Sequence, residues 1–376
     1  MATFTANRKD LLNRVRMAGK VSPSRSPRAI LQNIHVTVNG RVDLTTTDQE
    51  IGLVQSADYE RSGDAETLVN AKQLIGLLGK VKADEVTVTV ETDSFQVTTG
   101  KAKFTLPVND LVQDFPPVTT DRPAVATAYV SAADLEKLIR QTEYAADTES
   151  TRYAIGGILI ELSANKVTCV ATDTRRLAYW TTAAVTLDDV DRSGVVPISA
   201  IKAVADQLKT TKGNVCIDFS GGDVETTHVR FSTPDWVVDS RLVEGRFPRY
   251  QDVIPQNCES IVTLGVAEVA EGLQTAMIAA SDEERSCVLS FDVDGTLRLC
   301  CKSPENGQAD VSVSATYQLG RIKPAMYDPR FILAYLKSLD KNTETVDLKL
   351  IDHTSAAVLA ADGQASCVVM PLSTER

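Results

Sequence analysis

Apolar and polar positions along this chain switch between a helical and a strand period, and the switching repeats three times. Leu11, Leu12, Val15 and Ala18 lie at helical spacing, and Leu74, Leu77, Leu78 and Val81 predict a second helix over roughly Ala71–Lys80. Between them Ile34–Val38 leads through the turn Asn39-Gly40 into Val42–Asp48, and after them Val86–Val90 and Phe95–Thr98 alternate with period two. The middle third opens with Ser131-Ala132-Ala133-Asp134, a capping-box pattern before Leu135, Leu138 and Ile139. Its strands Ile158–Ile160 and Val167–Ala171 flank the turn Ser163–Lys166, and a helix after Pro197 buries Ile201, Val204, Ala205 and Leu208. The last third has a helix over Val266–Ala280, strands at Val288–Val293 and Leu297–Cys301 about the turn Asp294-Gly295, and Asp328-Pro329 as N-cap and first residue of another helix. That helix places Phe331, Ile332, Tyr335, Leu336 and Leu339 at core spacing, and Val346–Leu350 and Cys367–Met370 close the third as strands.

The repeat is long enough to be a domain. Thr47-Asp48 and Thr172-Asp173 stand 125 positions apart, and Phe115 and Phe247, each followed by proline, stand 132 apart. The expected fold is α+β: three similar domains of paired helices and antiparallel sheets, divided as 1–122, 123–253 and 254–376. Six helices exclude an all-β propeller.

A chain of 376 residues with 43% hydrophobic content suits two or three domains with real cores. No apolar run is long enough for a membrane span, and Met1–Arg8 is polar where a signal peptide is apolar, so a cytoplasmic protein without membrane contact is expected. Of seven cysteines, Cys169, Cys216, Cys300 and Cys367 sit in strand-like runs and read as small core hydrophobes.

A net charge of −11 argues against nucleic acid until its distribution is considered. Basic and acidic side chains number 15 and 15 in residues 1–122, 14 and 18 in 123–253, and 10 and 17 in 254–376. Basic residues collect on the polar faces of the predicted helices: Lys9, Arg16 and Lys20 line up with Asn13, Lys137 and Arg140 share the outer face of the third helix, and Lys202 with Lys209, and Arg330 with Lys337, are two turns apart. Such stripes, without interleaved aromatics or glycine-rich loops, suit phosphate contact rather than base reading. The fifth helix breaks the pattern, with Glu268, Glu271, Asp282, Glu283 and Glu284.

Nothing points to catalysis. His35, His228 and His353 each lie in or beside strand-like runs, and the chain contains no GxSxG, HExxH, P-loop or GxGxxG. Gly221-Gly222-Asp223 reads as a hairpin turn and Asp188-Asp189-Val190-Asp191 as a solvated loop. Asp48 and Asp173 hold matching places in separate repeats, which makes them turn residues rather than a carboxylate pair. No catalytic residue, metal site or cofactor is expected.

Arg152-Tyr153, Ala171-Thr172-Asp173 with Arg176-Leu177-Ala178, Leu242–Pro248 and the terminal Val368–Leu372 resemble the bacterial DNA polymerase III sliding clamp family (the β subunit), in register along essentially the whole chain. The resemblance implies a head-to-tail homodimer closed into a ring of six domains, with helices lining a hole that encircles double-stranded DNA regardless of sequence. It implies a non-enzymatic processivity factor. It also implies a cleft for short leucine- and phenylalanine-bearing peptides of the replicative polymerase, other polymerases, the clamp loader, mismatch repair proteins and ligase. Carried over by position, the cleft comprises Ile155, Thr172, Arg176, Leu177, Pro248, Val253, Val368, Met370, Pro371 and Leu372.

At its rim Thr174 and Arg175 stand where the family often has Gly-His, and Asp252 where a basic residue is common; Ser373–Arg376 is a candidate shield. The DNA contacts carried over are Arg25 and Tyr153, beside the helical Lys9, Arg16, Lys20, Lys137, Arg140, Lys202 and Lys209, while Glu149 replaces a neutral contact. At the ring interface Phe104 and Leu106 match the family's anchors, and Ala279 and Ala280 replace larger residues opposite them, so a readily dissociating dimer is expected. Two other classes compete. A hydrolase or transferase on a repeated α+β scaffold needs a cluster of chemistry that the chain lacks, and an adhesion module conflicts with its cysteine usage and N-terminus.

Overall fold

Asn7 ends an N-terminal strand and starts a helix: its side-chain oxygen accepts from the Lys9 and Asp10 backbone N–H groups at 3.0 and 3.2 Å, satisfying donors that a first turn leaves open. The computed structural model describes residues 1–118, 122–147, 155–187, 191–222, 226–281, 285–292, 294–318, 323–361 and 364–372. Among them are six α-helices: α1 (Arg8–Val21), α2 (Ala71–Lys80), α3 (Ala132–Arg140), α4 (Ile198–Leu208), α5 (Val266–Ala276) and α6 (Pro329–Ser338). The predicted starts hold in detail. Ser131 Oγ accepts from the Asp134 N–H at 3.0 Å and donates to the Asp134 carboxylate at 2.6 Å. Asp328 accepts from the Arg330 N–H at 3.0 Å ahead of Pro329. Helix α5 stops at Ala276, and a short 3-10 turn, Met277–Ala279, follows it.

The chain forms two compact units, one of Met1–Glu136, Ile160–Val167 and Thr182–Val243, the other of Lys137–Leu159, Thr168–Thr181 and Glu244–Arg376. In the first, a five-stranded antiparallel sheet runs in the order Glu60–Ser62, Ala2–Asn7, Glu85–Val90, Ser94–Thr99, Ala102–Pro107. Its Phe4, Val88, Phe95 and Val97 bury against Leu11, Val15, Ala18, Leu74 and Leu78 of α1 and α2. Each fully buried aliphatic side chain of this kind contributes about 1.5–3 kcal/mol. The other sheet of this unit joins two repeats, because Trp236–Arg241 pairs antiparallel with Ile51–Ala57.

The second unit is built the same way. Arg176–Ala183 pairs with Gln364–Val369, and the sheet continues through Ala357–Ala361, Thr345–Leu350, Ser260–Gly265, Gly307–Gln318, Thr296–Ser303, Cys287–Asp292 and Ala325–Tyr327. Helices α5 and α6 cover a core that includes Val262, Leu273, Leu299, Leu336, Leu348 and Leu359.

The repeat is visible atom by atom in the Thr-Asp turns. Asp48 Oδ1 accepts from the N–H groups of Glu50 and Ile51, and Thr47 Oγ1 donates to the Ile51 carbonyl. Asp173 Oδ1 accepts from Arg175 and Arg176, and Thr172 Oγ1 donates to the Arg176 carbonyl. Gln49 and Thr174 take the same left-handed place, φ 82° and 72°. A polar turn residue that bonds its own backbone explains both aspartates.

One position predicts a stability effect. A Cβ on Gly272, inside α5, would lie 2.6 Å from Val313 Cγ1 and 3.1 Å from Leu299 Cδ1. Valine is stiff at χ1 and cannot retreat, so Gly272→Val is expected to cost about 1–3 kcal/mol through overpacking, although glycine is itself a poor helix former. Thermal unfolding checks this, and an unchanged midpoint would refute it.

Candidate functional site

The strand Gln364–Val369 runs beside Arg176–Ala183 with Val369 opposite Arg176, Val368 opposite Leu177 and Cys367 opposite Ala178. The chain beyond it stays anchored, since Met370 N–H donates to the Arg175 carbonyl at 2.9 Å and Leu372 N–H to the Met326 carbonyl at 2.7 Å. Val368–Leu372 therefore lies along the Thr172–Arg176 turn, which brings together residues almost 200 positions apart.

Leu177, Val368 and Ile155 are buried, while Met370 is 45% and Val253 54% exposed. Pro371 and Leu372 are half-buried, and Pro248, Thr174 and Arg175 are exposed. Around the Thr172–Arg176 turn, buried Leu177 and Val368 thus lie beside the exposed Met370, Thr174 and Arg175. All twelve predicted cleft residues belong to the second unit. Hydrogen bonds and strand pairing tie Thr172, Thr174, Arg175, Arg176, Leu177, Val368 and Met370 to one another. Pro248 sits just before the short turn Tyr250–Val253 and Val253 ends it.

Arg176 is a fixed part of this wall. Its Nε donates to Asp173 Oδ2 at 2.9 Å, and its guanidinium lies 4.6 Å from the Phe331 ring centroid and 5.7 Å from that of Tyr144. A planar cation stacked on rings holds its geometry better than a lysine would. Phe331 and Tyr144 hold Arg176 in this way, which sequence reasoning missed; Phe331 was legible only as helix core.

Among the predicted DNA contacts of the first unit, Lys9, Arg16 and Lys20 are exposed along α1 with Asn13, Arg25 is exposed after it, and Lys202 and Lys209 are exposed on α4. Between these two helices lies Asp206. Its oxygens bond Lys20 Nζ at 2.5 Å and Lys209 Nζ at 2.6 Å. Partial burial raises the Asp206 carboxyl, but the two ammonium partners outweigh it and hold it below the usual carboxylate range.

Lys137 and Arg140 differ from expectation. They do not form a free outer face: both are half-buried, and Asp340 bonds Lys137 Nζ at 2.7 Å and Arg140 at 2.5 Å. Arg140 also donates to the Ser338 carbonyl, and Lys137 lies 4.9 Å from the Trp180 ring centroid. Helical spacing could not show that the end of α6 covers this face. Tyr153 and Glu149 lie outside the described residues.

The predicted interface residues also divide. Phe104 is 39% exposed on the strand Ala102–Pro107, whose one ladder partner among the described residues is Ser94–Thr99, and Leu106 is half-buried beside it. Ala280 is half-buried, but Ala279 is 3% exposed and packs in the core of its own chain. It is unavailable to a partner, and the expectation of a weak dimer loses that support. Its neighbour Ile278 is 76% exposed. Its spacing from Ala267, Glu271 and Gln274, all exposed, continues one face of α5 and was the available signal. Part of the acidity of this helix is structural, because Glu268 accepts from Ser314 N–H and Oγ at 2.8 and 3.0 Å.

Domain models of the DNA polymerase III beta subunit match end to end: the N-terminal domain over residues 2–119, the central domain over 129–249 and the C-terminal domain over 251–373. The chain belongs to the DNA polymerase III beta-subunit family. It is 28% identical to the beta sliding clamp of Pseudomonas putida over 98% of this chain and 99% of that one, and 25% identical to that of Vibrio cholerae with the same coverage.

The solved sliding clamp of Pseudomonas aeruginosa, 26% identical, superposes with a TM-score of 0.87 over 99% of this chain and all of that one. A structure of a Pseudomonas aeruginosa clamp bound to griselimycin, also 26% identical, gives 0.90 over 99% of each chain. The family's function is that of a DNA sliding clamp, which encircles duplex DNA, tethers the replicative polymerase for processive synthesis and recruits partners through a peptide-binding cleft.

Proposed function

We propose that residues 1–122, 123–253 and 254–376 act as three clamp domains and that two copies close head to tail into the ring. The observation that carries this reading is the succession of three beta-subunit domain matches over nearly the whole chain. Strand pairing supports it. Ile51–Ala57 joins Trp236–Arg241, and Arg176–Ala183 joins Gln364–Val369. By the repeat, a third pair joins Gly307–Gln318 to Ala102–Pro107 of a second copy, which covers an open edge.

The exposed stripe of α1 with Arg25, and Lys202 and Lys209 of α4, track duplex phosphates without reading bases, while Lys137 and Arg140 serve mainly to tie α3 to the end of α6. The cleft around Leu177 and Met370 takes linear motifs of the replicative polymerase, the clamp loader, other polymerases, mismatch repair proteins and ligase. A flexible methionine suits one pocket to several related peptides. The protein acts by binding rather than catalysis, in the cytoplasm. No described helix is long and apolar enough to cross a membrane.

Retention on DNA tests the ring. Protein loaded by a clamp loader onto a nicked circle is expected to stay bound through a high-salt gel filtration and to be lost once the circle is linearised. Equal loss from both forms would refute topological linkage.

A further inference from the structure

On α4, Lys202, Asp206 and Lys209 are spaced four and three residues apart, so a carboxylate occupies the middle of a basic stripe. It is not a bystander. Both lysines whose ammonium groups reach it are largely exposed, Lys20 at 62% and Lys209 at 70% of the side chain, whereas the Asp206 side chain is only 13% exposed. The carboxylate is thus seated between α1 and α4 and the lysines reach in to it. The second unit repeats the arrangement, with Asp340 between Lys137 and Arg140.

We propose that Asp206 is an internal competitor for DNA phosphates, holding Lys20 and Lys209 so that the duplex is gripped loosely and the ring keeps moving. The inference rests on the reading that these helices face DNA. A lysine paired with a carboxylate must give up that bond to take a phosphate, so the exchange gains little, and two ammonium groups that share one carboxylate present one net charge rather than two. Affinity for DNA grows with the number of phosphates neutralised, each adding about 0.9 to the slope of log K against log salt. Asp206 therefore limits both the grip and its salt dependence. Its role is positioning, since the lysines make the contact.

The test is fluorescence anisotropy of a labelled duplex titrated with the full-length protein over a salt series. Asp206→Asn is expected to bind several-fold more tightly at low salt, with a slope steeper by about 1 to 2. Asp206→Ala should behave alike, and Asp206→Glu should return toward the wild type. Lys20→Ala breaks the same bond but removes a positive charge, so it should not tighten binding.

If Lys202→Ala makes the slope shallower while Asp206→Asn and Asp206→Ala leave it unchanged, the competitor role is wrong and the DNA face stands. If Lys20→Ala tightens binding as Asp206→Asn does, loosening of the α1–α4 contact is the cause and the proposal fails. If none of these variants nor Arg16→Ala moves the slope, the DNA-face reading falls with it.

Discussion

Met370→Ala should lower affinity for a fluorescent peptide of the Gln-Leu-x-Leu-Phe type by about 30-fold or more, the effect of losing a side chain that carries roughly 2 kcal/mol of an interface. Three features single out this residue. Its side chain is 45% exposed at the end of a buried strand, so apolar surface is offered to a ligand rather than to the core. Its backbone N–H is held by the Arg175 carbonyl at 2.9 Å, so truncation removes the thioether and leaves the wall in place. Its neighbours Pro371 and Leu372 are fixed by the bond to Met326, which spares a ligand the entropy of ordering them.

Leu177→Ala should also weaken binding, but at a cost. Leu177 is 3% exposed, and deleting a buried leucine costs about 2–5 kcal/mol of stability. Only Met370→Ala separates recognition from folding. Unaltered affinity in a Met370→Ala protein with wild-type thermal stability would move the peptide site away from Val368–Leu372.

The elements were legible because each carries its own local signal. The 3.6-residue stripes found all six helices of the described residues, and Ser131, Asp134, Asp328 and Pro329 marked two of their starts. The Thr-Asp turns were legible as turns because an aspartate followed by two backbone donors writes its bond pattern into a short stretch of sequence.

What neighbouring elements cover is not written locally. Asp206 looked like one acid among many until α1 and α4 packed and Lys20 met it across 186 positions. Lys137 and Arg140 have the spacing of a solvated face, and only the arrival of Asp340 beyond α6 shows otherwise. The cleft residues were named through resemblance alone. Val368–Val369 read as an ordinary terminal strand, and the pairing that sets it beside Arg176 and Leu177 depends on register between distant strands. Ala279 misled because side-chain size was judged without direction.

Ile278→Asp is expected to raise the dimer dissociation constant at least about 1000-fold, leaving a folded monomer. In the separate chain Ile278 is 76% exposed, so its replacement barely touches the chain's own core. We take it to lie in the junction of the proposed ring, beside Ala279 and Ala280. Burying such a side chain is worth about 1.5–3 kcal/mol, and an aspartate there would add an unpaired carboxylate costing several kcal/mol more. At about 1.4 kcal/mol per tenfold change, the two together exceed three decades.

Phe104→Asp should act in the same direction, because Phe104 is 39% exposed on a strand that has no second partner among the described residues. Sedimentation velocity over a concentration series reads both, with thermal unfolding as the control for a folded monomer. The alanines at 279 and 280 no longer argue for a weak ring, since one is internal and an isoleucine precedes it. A dimer that survives Ile278→Asp but not Phe104→Asp would keep the edge strand in the junction and remove the end of α5 from it.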